Sequence, residues 1–396
     1  MSPLSPKLTV IATHLRPALG YGGVAESTAE LIQAWRATGH EVSVLTSDGT
    51  RGPPLTARDF EEVLCAPVNL YKTQLWVRWG FGLGVLTKAF QSLRRSDVAY
   101  ISGIATWPTT IAALYAHLLG RPYVVALRGG LMGEHWESIE AKKPLKALFY
   151  KCLTFPTLRH AHGVHVTTEL ERSQAEAIVP NIKSIVIPNG FSLPGSEDVL
   201  PPPSHTGIRL LFLGRIAPEK GVLAFMKRFL EVADTQDELR LGGAPEADYG
   251  ALVTLACAKS TNITHLGVLG RDALLDTLRN IDALVLPSGM EGGVRENFGN
   301  VVVEALLAGR PVMVTRGLAW DQIDADGVGV TFNRDGSDLA EALAKLKDLV
   351  TTKDIWAKCA DYARSRYSSA VVAERLWNKL TQPSLPTLAS NGSRHD

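Results

Sequence analysis

Short, continuous apolar runs separated by longer stretches of helical spacing set the rhythm of this chain, and that rhythm predicts alternating strands and helices. Leu8–Thr13 reads as a first strand, Tyr21–Gly23 as a turn, Ala25–Thr38 as a helix closed by Gly39 and His40, and Glu41–Thr46 as the next strand. A strand, a crossover helix and a second strand make a parallel pair with a right-handed connection. Further strands are predicted at Val98–Ser102, Pro122–Ala126, Gly163–Val166 and Ser184–Ile187, before a Pro-rich linker from Ser192 to Gly207 that contains Pro201–Pro203.

After the linker the rhythm restarts. Strands are predicted at Ile208–Leu213, Leu239–Leu241, Ile263–Leu266, Ala283–Leu286 and Pro311–Thr315, with helices at Val222–Ala233, Tyr249–Ala258 and Arg271–Arg279. The spacing therefore predicts an α/β protein of two Rossmann-like, doubly wound parallel sheets. Such sheets bind ligands at the carboxyl ends of their strands, which places a cleft between the two halves. A last amphipathic helix at about Val371–Leu380 precedes a tail from Thr381 to Asp396 whose Ser, Pro, Thr and Asn content predicts disorder.

The most informative segment is Glu296–Glu304, entered from Ala283–Ser288 and left through Ala308–Val312. If its helix starts near Phe298, two carboxylates flank that start, roughly 12 Å apart along the axis at about 1.5 Å per residue. The N–H groups of Phe298, Gly299 and Asn300 then favour a phosphate, with Asn297 as a cap and Gly299 permitting close approach. A carboxylate beside a phosphate is useful if it accepts hydrogen bonds from neutral hydroxyls, as a sugar supplies, so Glu296 is a sugar-binding candidate. Glu304 stands among Val301, Val302, Val303, Ala305, Leu306 and Leu307, where an unpartnered charge is expensive. The alternative for this pair is a Glu that complements the helix dipole and a second, solvated Glu.

Two cations stand on the connection Gly214–Gly221 after the first strand of the second half. Arg215 and Lys220 there suit a diphosphate leaving group; an exposed, solvated turn is the competing reading. Gly22 and Gly23 open the first helix, so its N–H groups can face the cleft from the other side. No G-x-G-x-x-G follows a strand, which argues against a nicotinamide or flavin enzyme. Asp324-Ala-Asp326 is followed directly by Gly327 and reads as a turn rather than a metal site, so no metal is expected.

Composition narrows the partners. With 41 basic against 40 acidic residues there is no global field to recruit nucleic acid, and 45% apolar content suffices for two cores. Four dispersed cysteines, Cys65, Cys152, Cys257 and Cys359, read as reduced and structural. The absence of a leader-like start and of any apolar run of about 18 residues predicts a cytoplasmic protein without a transmembrane helix. Two basic, aromatic-containing stretches remain, Tyr71–Arg95 and Lys142–Lys151. The second suits an anionic membrane surface; alternatively its lysines are solvated while Leu145, Leu148 and Phe149 face the core. His160, His162 and His165 read as structural.

These residues, from about Leu8 to Leu380, resemble the retaining glycosyltransferases of family 4, whose GT-B fold has two facing Rossmann-like domains and a carboxy-terminal helix that returns to the first. The resemblance implies an acceptor-side domain at residues 1–195 joined by helix 361–380, and a nucleotide-sugar domain at 208–360. It implies that Arg215 and Lys220 hold the donor diphosphate, Glu296 the transferred sugar and Glu304 the ribose. Phe298, Gly299 and Asn300 would offer backbone to sugar and phosphate, Val268 and Leu269 would border the base, and Gly22 and Gly23 correspond to the family's glycine loop. Many members carry His-Gly where this chain has Arg128-Gly129; an arginine stays protonated, so binding a phosphate or acceptor group is its expected role.

The implied activity is metal-independent hexosyl transfer from a nucleotide-diphosphate sugar, without a cofactor, to a hydroxyl of a glycan or lipid-linked glycan in cell-surface polysaccharide synthesis. No general base is assigned; the expectation is front-face displacement in which the leaving diphosphate helps deprotonate the acceptor. A nucleotide-sugar epimerase or hydrolase on the same fold and a non-catalytic nucleotide-sugar-binding protein are the alternatives.

Overall fold

The computed structural model describes residues 6–18, 21–193, 199, 201, 204–292 and 298–381. Glu296 and Asn297, residues 202–203 of the linker and residues 382–396 of the expected tail lie outside the described residues. Two all-parallel sheets organise the chain.

The first domain runs β1 (Leu8–Ala12), α1 (Gly22–Ala37), β2 (Val42–Ser47), α2 (Ala57–Leu64), β3 (Val68–Tyr71), α3 (Gly84–Arg95), β4 (Val98–Ser102), α4 (Trp107–Leu118) and β5 (Tyr123–Ala126). It continues through α5 (Gly133–Lys142), α6 (Pro144–Phe149), α7 (Phe155–His160), β6 (Gly163–Val166), α8 (Glu169–Ile178) and β7 (Ser184–Val186). Its seven strands lie in the order β3-β2-β1-β4-β5-β6-β7. The reversal of direction between β1 and β4 opens a crevice at their carboxyl ends.

The second domain runs β8 (Arg209–Leu213), α9 (Val222–Val232), β9 (Glu238–Gly242), α10 (Ala247–Ala258), β10 (Ile263–Gly267), α11 (Arg271–Arg279), β11 (Ala283–Leu286) and α12 (Asn300–Leu307). After these come β12 (Val312–Thr315), α13 (Ile323–Asp326), β13 (Gly329–Phe332), α14 (Leu339–Val350), α15 (Ile355–Tyr367) and α16 (Ser369–Thr381). Its six strands lie in the order β10-β9-β8-β11-β12-β13, with the reversal between β8 and β11. Glycines let the loops at that reversal nest: a Cβ on Gly221, whose φ is +68°, would stand 2.2 Å from the Pro287 carbonyl oxygen. The Gly214–Gly221 connection is thereby pressed against the exit of β11.

Central strands buried on both faces explain why their sequences are continuous apolar runs rather than alternating ones. Each sheet is sandwiched between two apolar clusters. Arg310 is fully buried at the entry to β12, donating to the Leu278 carbonyl at 2.8 Å and the Arg279 carbonyl at 3.1 Å. It thus serves as a side-chain cap for the carboxyl end of α11. Two helices occupy the stretch expected as one returning helix. Ile355, Cys359 and Ala363 of α15 belong to the core around α12, whereas Ala373, Leu376, Trp377 and Leu380 of α16 join the core of the first domain. Trp35 of α1 anchors that return by donating its indole N–H to the Ala373 carbonyl at 2.8 Å.

Candidate active site

A cavity of about 860 Å³ lies between the domains, at both sheet reversals. One wall comes from the second domain and includes Gly214, Arg215, Lys220, Leu274, Phe298, Gly299, Asn300 and Glu304. The facing wall includes Arg16, Gly23, Glu26, Ser27, Glu30, Arg128 and Asn189. Of the residues singled out in the sequence, Arg215, Lys220, Arg128, Gly23, Phe298, Gly299, Asn300 and Glu304 thus line one space. Val268 and Leu269 are not among the lining residues: Val268 is 73% exposed and Leu269 packs against Gly242. Leu274 of α11 is a lining residue of the second-domain wall. Gly22 begins α1 beside Gly23.

The helix expected at Phe298 begins two residues later. Gly299, with φ +76°, is the residue before α12, and Asn300 is its first residue. The axial spacing expected between Glu296 and Glu304 involves Glu296, which lies outside the described residues. Glu304 lies one turn in, half-buried and facing the cavity. Phe298 is buried, its ring stacked on Phe191 at 6.2 Å, and its carbonyl accepts the Trp320 indole N–H. That carbonyl is committed to the core, and the ring ties the chain crossing to the second domain.

Arg215 is half-exposed and donates to the carboxylates of Glu219 and Glu246. The two acids hold its guanidinium over the cleft wall, where an anionic ligand would compete for it. Asp324 and Asp326, in α13, are both occupied by protein donors. Asp324 accepts from the backbone N–H and hydroxyl of Thr331, and Asp326 from the Tyr362 hydroxyl at 2.8 Å. Among the described residues no group of three or more His, Cys, Asp or Glu side chains gathers to hold a metal ion.

On the first-domain wall, Arg128 sits just after β5 with φ +53°, a left-handed conformation that a non-glycine residue adopts only when its surroundings impose it. Glu171 imposes it here: fully buried at the start of α8, it accepts from the N–H of Gly129 at 2.6 Å and of Thr167 at 2.7 Å. Arg128 then donates to Tyr100 at 3.1 Å, Ser102 at 3.4 Å, Ser27 at 3.4 Å and the Asn189 side-chain oxygen. Burial, reinforced by the Arg128 charge, pushes the pKa of His165 down to about 3, so that ring is neutral. His165 is a core group rather than a ligand, and His160 stacks on His117 at 4.5 Å.

Sequence reasoning passed over Arg16, Glu26, Glu30 and Asn189. Glu26 and Glu30 are spaced one turn apart on α1 and pair with Arg16 at 3.2 and 3.6 Å. That spacing, in the helix opened by Gly22 and Gly23, was the available signal. Asn189 was hidden in an Asn-Gly dipeptide that reads as a turn.

A second surface departs from expectation. Leu145 and Leu148 do not face the core: they are 83% and 58% exposed, while Phe149 is the residue that packs inward. α6 is six residues long and continues into a π-helical turn at Tyr150–Thr154; its buried residue is Ala147, so the face shared by Leu145 and Leu148 is turned outward. The two basic stretches meet here. Trp79 lies 5.8 Å from Phe149, and burial, with the charges of Lys143 and Arg78, lowers the Lys146 pKa. Leu75, Trp76 and Leu83 are exposed on the first of these stretches.

Two doubly wound parallel sheets facing a shared cleft, with the last helix crossing back, define the GT-B class. Residues 22–190 match the family model of the Glycosyl transferase 4-like domain and residues 207–348 that of Glycosyl transferases group 1. The chain belongs to the family 4-like glycosyltransferases of the GT-B fold. It is 28% identical over 277 residues to a phosphatidyl-myo-inositol mannosyltransferase of Mycobacterium leprae, covering 65% of this chain and 71% of the relative. A protein of that name from Mycobacterium tuberculosis is 24% identical over 368 residues, 90% and 92% of the two chains. Among solved structures, Anabaena HepE in complex with UDP superposes with a TM-score of 0.70 at 17% identity, covering 94% of this chain and 99% of that one.

Proposed function

We propose that the protein transfers a hexosyl unit, with retention of anomeric configuration, from a nucleotide-diphosphate sugar to a hydroxyl of a glycan or lipid-linked glycan. The observation that carries this reading is the convergence of Arg215, Lys220, Glu304 and the start of α12 on one wall of a cavity whose other wall carries Arg128 and the start of α1. Arg215 and Lys220 hold the diphosphate and neutralise charge as it departs. Glu304 accepts hydrogen bonds from ribose hydroxyls. Glu296 is assigned to hydroxyls of the transferred sugar on sequence grounds. Arg128, permanently charged and held by the side chains of Ser27, Thr28, Tyr100, Ser102 and Asn189, orients a phosphate or acceptor group and cannot serve as a base. The leaving diphosphate itself helps take the acceptor proton, and the reaction needs neither metal nor cofactor.

HepE has been solved with UDP, and the mycobacterial relatives are named for a mannosyl group and phosphatidyl-myo-inositol, which supports a nucleotide donor and a lipid-linked acceptor. Action at the cytoplasmic side of a membrane fits the exposed face of Leu75, Trp76, Leu83, Leu145 and Leu148 beside Arg78, Lys143 and Lys146. No helix among the described residues is long and apolar enough to cross a membrane, so contact there would be peripheral.

Incubation with a panel of UDP-, GDP- and ADP-hexoses, with and without a lipid extract, tests the reading. Acceptor-dependent release of nucleoside diphosphate is expected for one donor. Release without acceptor indicates hydrolysis, sugar conversion without release indicates epimerisation, and binding without turnover indicates a non-catalytic protein. Each of these three outcomes overturns transfer. Separately, vesicles with anionic lipid should sediment the wild type at low salt and lose a Trp76→Ser/Leu145→Ser variant; equal sedimentation of both removes the membrane assignment.

A further inference from the structure

A directed chain of hydrogen bonds runs from the core of the first domain to the first residue of α12. It begins at the Ile187 carbonyl, which can only accept, 2.7 Å from His165 Nε2. Nε2 therefore carries the imidazole proton, and Nδ1 accepts from the Tyr100 hydroxyl at 2.7 Å. The Tyr100 oxygen in turn accepts from Arg128. Since a guanidinium only donates, the Asn189 carboxamide must turn its oxygen to Arg128 and its NH₂ outward. That NH₂ donates across the cleft to Asn300 Oδ1 at 3.3 Å. No amide in the chain can flip without breaking it.

The backbone at Asn189 is equally constrained. A Cβ on Gly190 would lie 2.9 Å from Cα of Ser369, so the outgoing chain is pressed directly on the start of α16. Phe191 N–H donates to the Tyr367 carbonyl at 2.9 Å, and Ser369 N–H to the Phe191 carbonyl at 3.0 Å. The only stretches of described chain that pass between the domains here are thus paired to each other, and Asn189 stands at that pairing. On the far side, Asn300 also touches α1: a Cβ on Gly23 would fall 2.8 Å from Asn300 Nδ2. The Asn300 side chain thus lies between Asn189 and Gly23.

We infer that Asn189 is a positioning residue: through Asn300 it holds the starts of α1 and α12 face to face and so sets the closed arrangement in which a donor on the second domain meets an acceptor on the first. The inference rests on the transferase reading for its kinetic consequence but makes a separate structural claim. The donor groups Arg215, Lys220 and Glu304 all sit on the second domain, so loosening the latch leaves nucleotide affinity largely intact while transfer suffers. Gly23 is required because any side chain would displace Asn300.

Four proteins test this: the wild type, Asn189→Ala, Asn300→Ala and the double variant, with Asn189→Asp as the conservative control. Asn189→Asp keeps an acceptor for Arg128 and can be met by the Asn300 amide after that amide turns. The expected result is a ten- to hundredfold fall in kcat for each alanine variant and, for Asn189→Ala, less than a threefold change in nucleoside diphosphate Kd. The double variant should be no worse than either single one, and Asn189→Asp should stay within threefold of wild type. Small-angle X-ray scattering of the nucleotide-bound proteins should show a longer maximum dimension for the alanine variants and a wild-type curve for Asn189→Asp. Multiplying losses in the double variant, kcat within twofold of wild type in Asn189→Ala, or scattering curves that superpose overturn the latch. If the wild type turns over no donor, the transferase reading fails while the scattering comparison still decides the latch.

Discussion

Replacing Arg215 by Gln, alone and together with Glu246→Gln, probes the donor wall most sharply. The guanidinium is shared between Glu219, 13% exposed, and Glu246, 48% exposed. A diphosphate must displace at least the more exposed of them. Such an exposed pair contributes about 0.2–1 kcal/mol, whereas an electrostatic clamp on a departing phosphate contributes about 3–4 kcal/mol. The clamp wins, so the carboxylates orient Arg215 without neutralising its use. Arg215→Gln should therefore lower kcat/KM for the donor by roughly 10²–10³-fold with an unchanged melting temperature. Glu246→Gln removes a competitor and should tighten nucleoside diphosphate binding by roughly two- to fivefold. In the double variant that gain should vanish, because there is no longer a cation to compete for. Initial-rate nucleoside diphosphate release and isothermal titration calorimetry read the two effects. An Arg215→Gln enzyme within threefold of wild type, or a Glu246→Gln enzyme that binds nucleotide more weakly, would refute the competition argument.

Three further outcomes concern the scaffold. Gly221→Ala forces a side chain into a left-handed backbone at φ +68° and against the Pro287 carbonyl, so urea denaturation should show a loss of about 2–4 kcal/mol. Arg310→Met removes the two hydrogen bonds that Arg310 donates to the carboxyl end of α11 and should cost about 2–4 kcal/mol, measured in the same way; a change under 0.5 kcal/mol would contradict its capping role. His165, neutral in the fold down to about pH 3, titrates near 6.5 when unfolded, so below pH 6.5 the unfolded chain binds a proton the folded one does not. Its contribution to stability is thus complete above pH 6.5 and is lost as pH falls from there toward 3. The wild type should lose up to about 1.4 kcal/mol per pH unit from this group, and His165→Gln should show a correspondingly shallower slope in urea midpoints between pH 6 and 4.

The central strands were legible because burial on both faces writes them as unbroken apolar runs. β4, β6 and β11 occupy the predicted residues. β3 was not, since an edge strand whose first three residues are only half-buried carries no such run. β13 follows directly on Gly327 and Val328, a segment that punctuates like a turn. The donor wall was readable because its groups are charged residues close in sequence on two connections that parallel pairing of β8 and β11 brings together. The facing wall depends on contacts across long separations, such as Arg128 with Ser27 and Asn189, which local spacing does not encode. The same applies to Leu145 and Leu148: their spacing puts them on one face of α6, but which face is buried is decided by the packing of Ala147 and Phe149 on the core, which local spacing does not encode.

The assignment of Glu304 joins geometry to function most directly, and a comparison of ribonucleotide and 2′-deoxyribonucleotide donors tests it. Once the panel identifies the active donor, kcat/KM should be measured for both forms with the wild type and with Glu304→Gln. The wild type should favour the ribose form by at least about tenfold, the worth of a carboxylate–hydroxyl hydrogen bond, and Glu304→Gln should remove most of that preference. Equal use of both donors by the wild type, or the same preference in both proteins, would contradict the placement of a nucleotide sugar along this wall of the cleft.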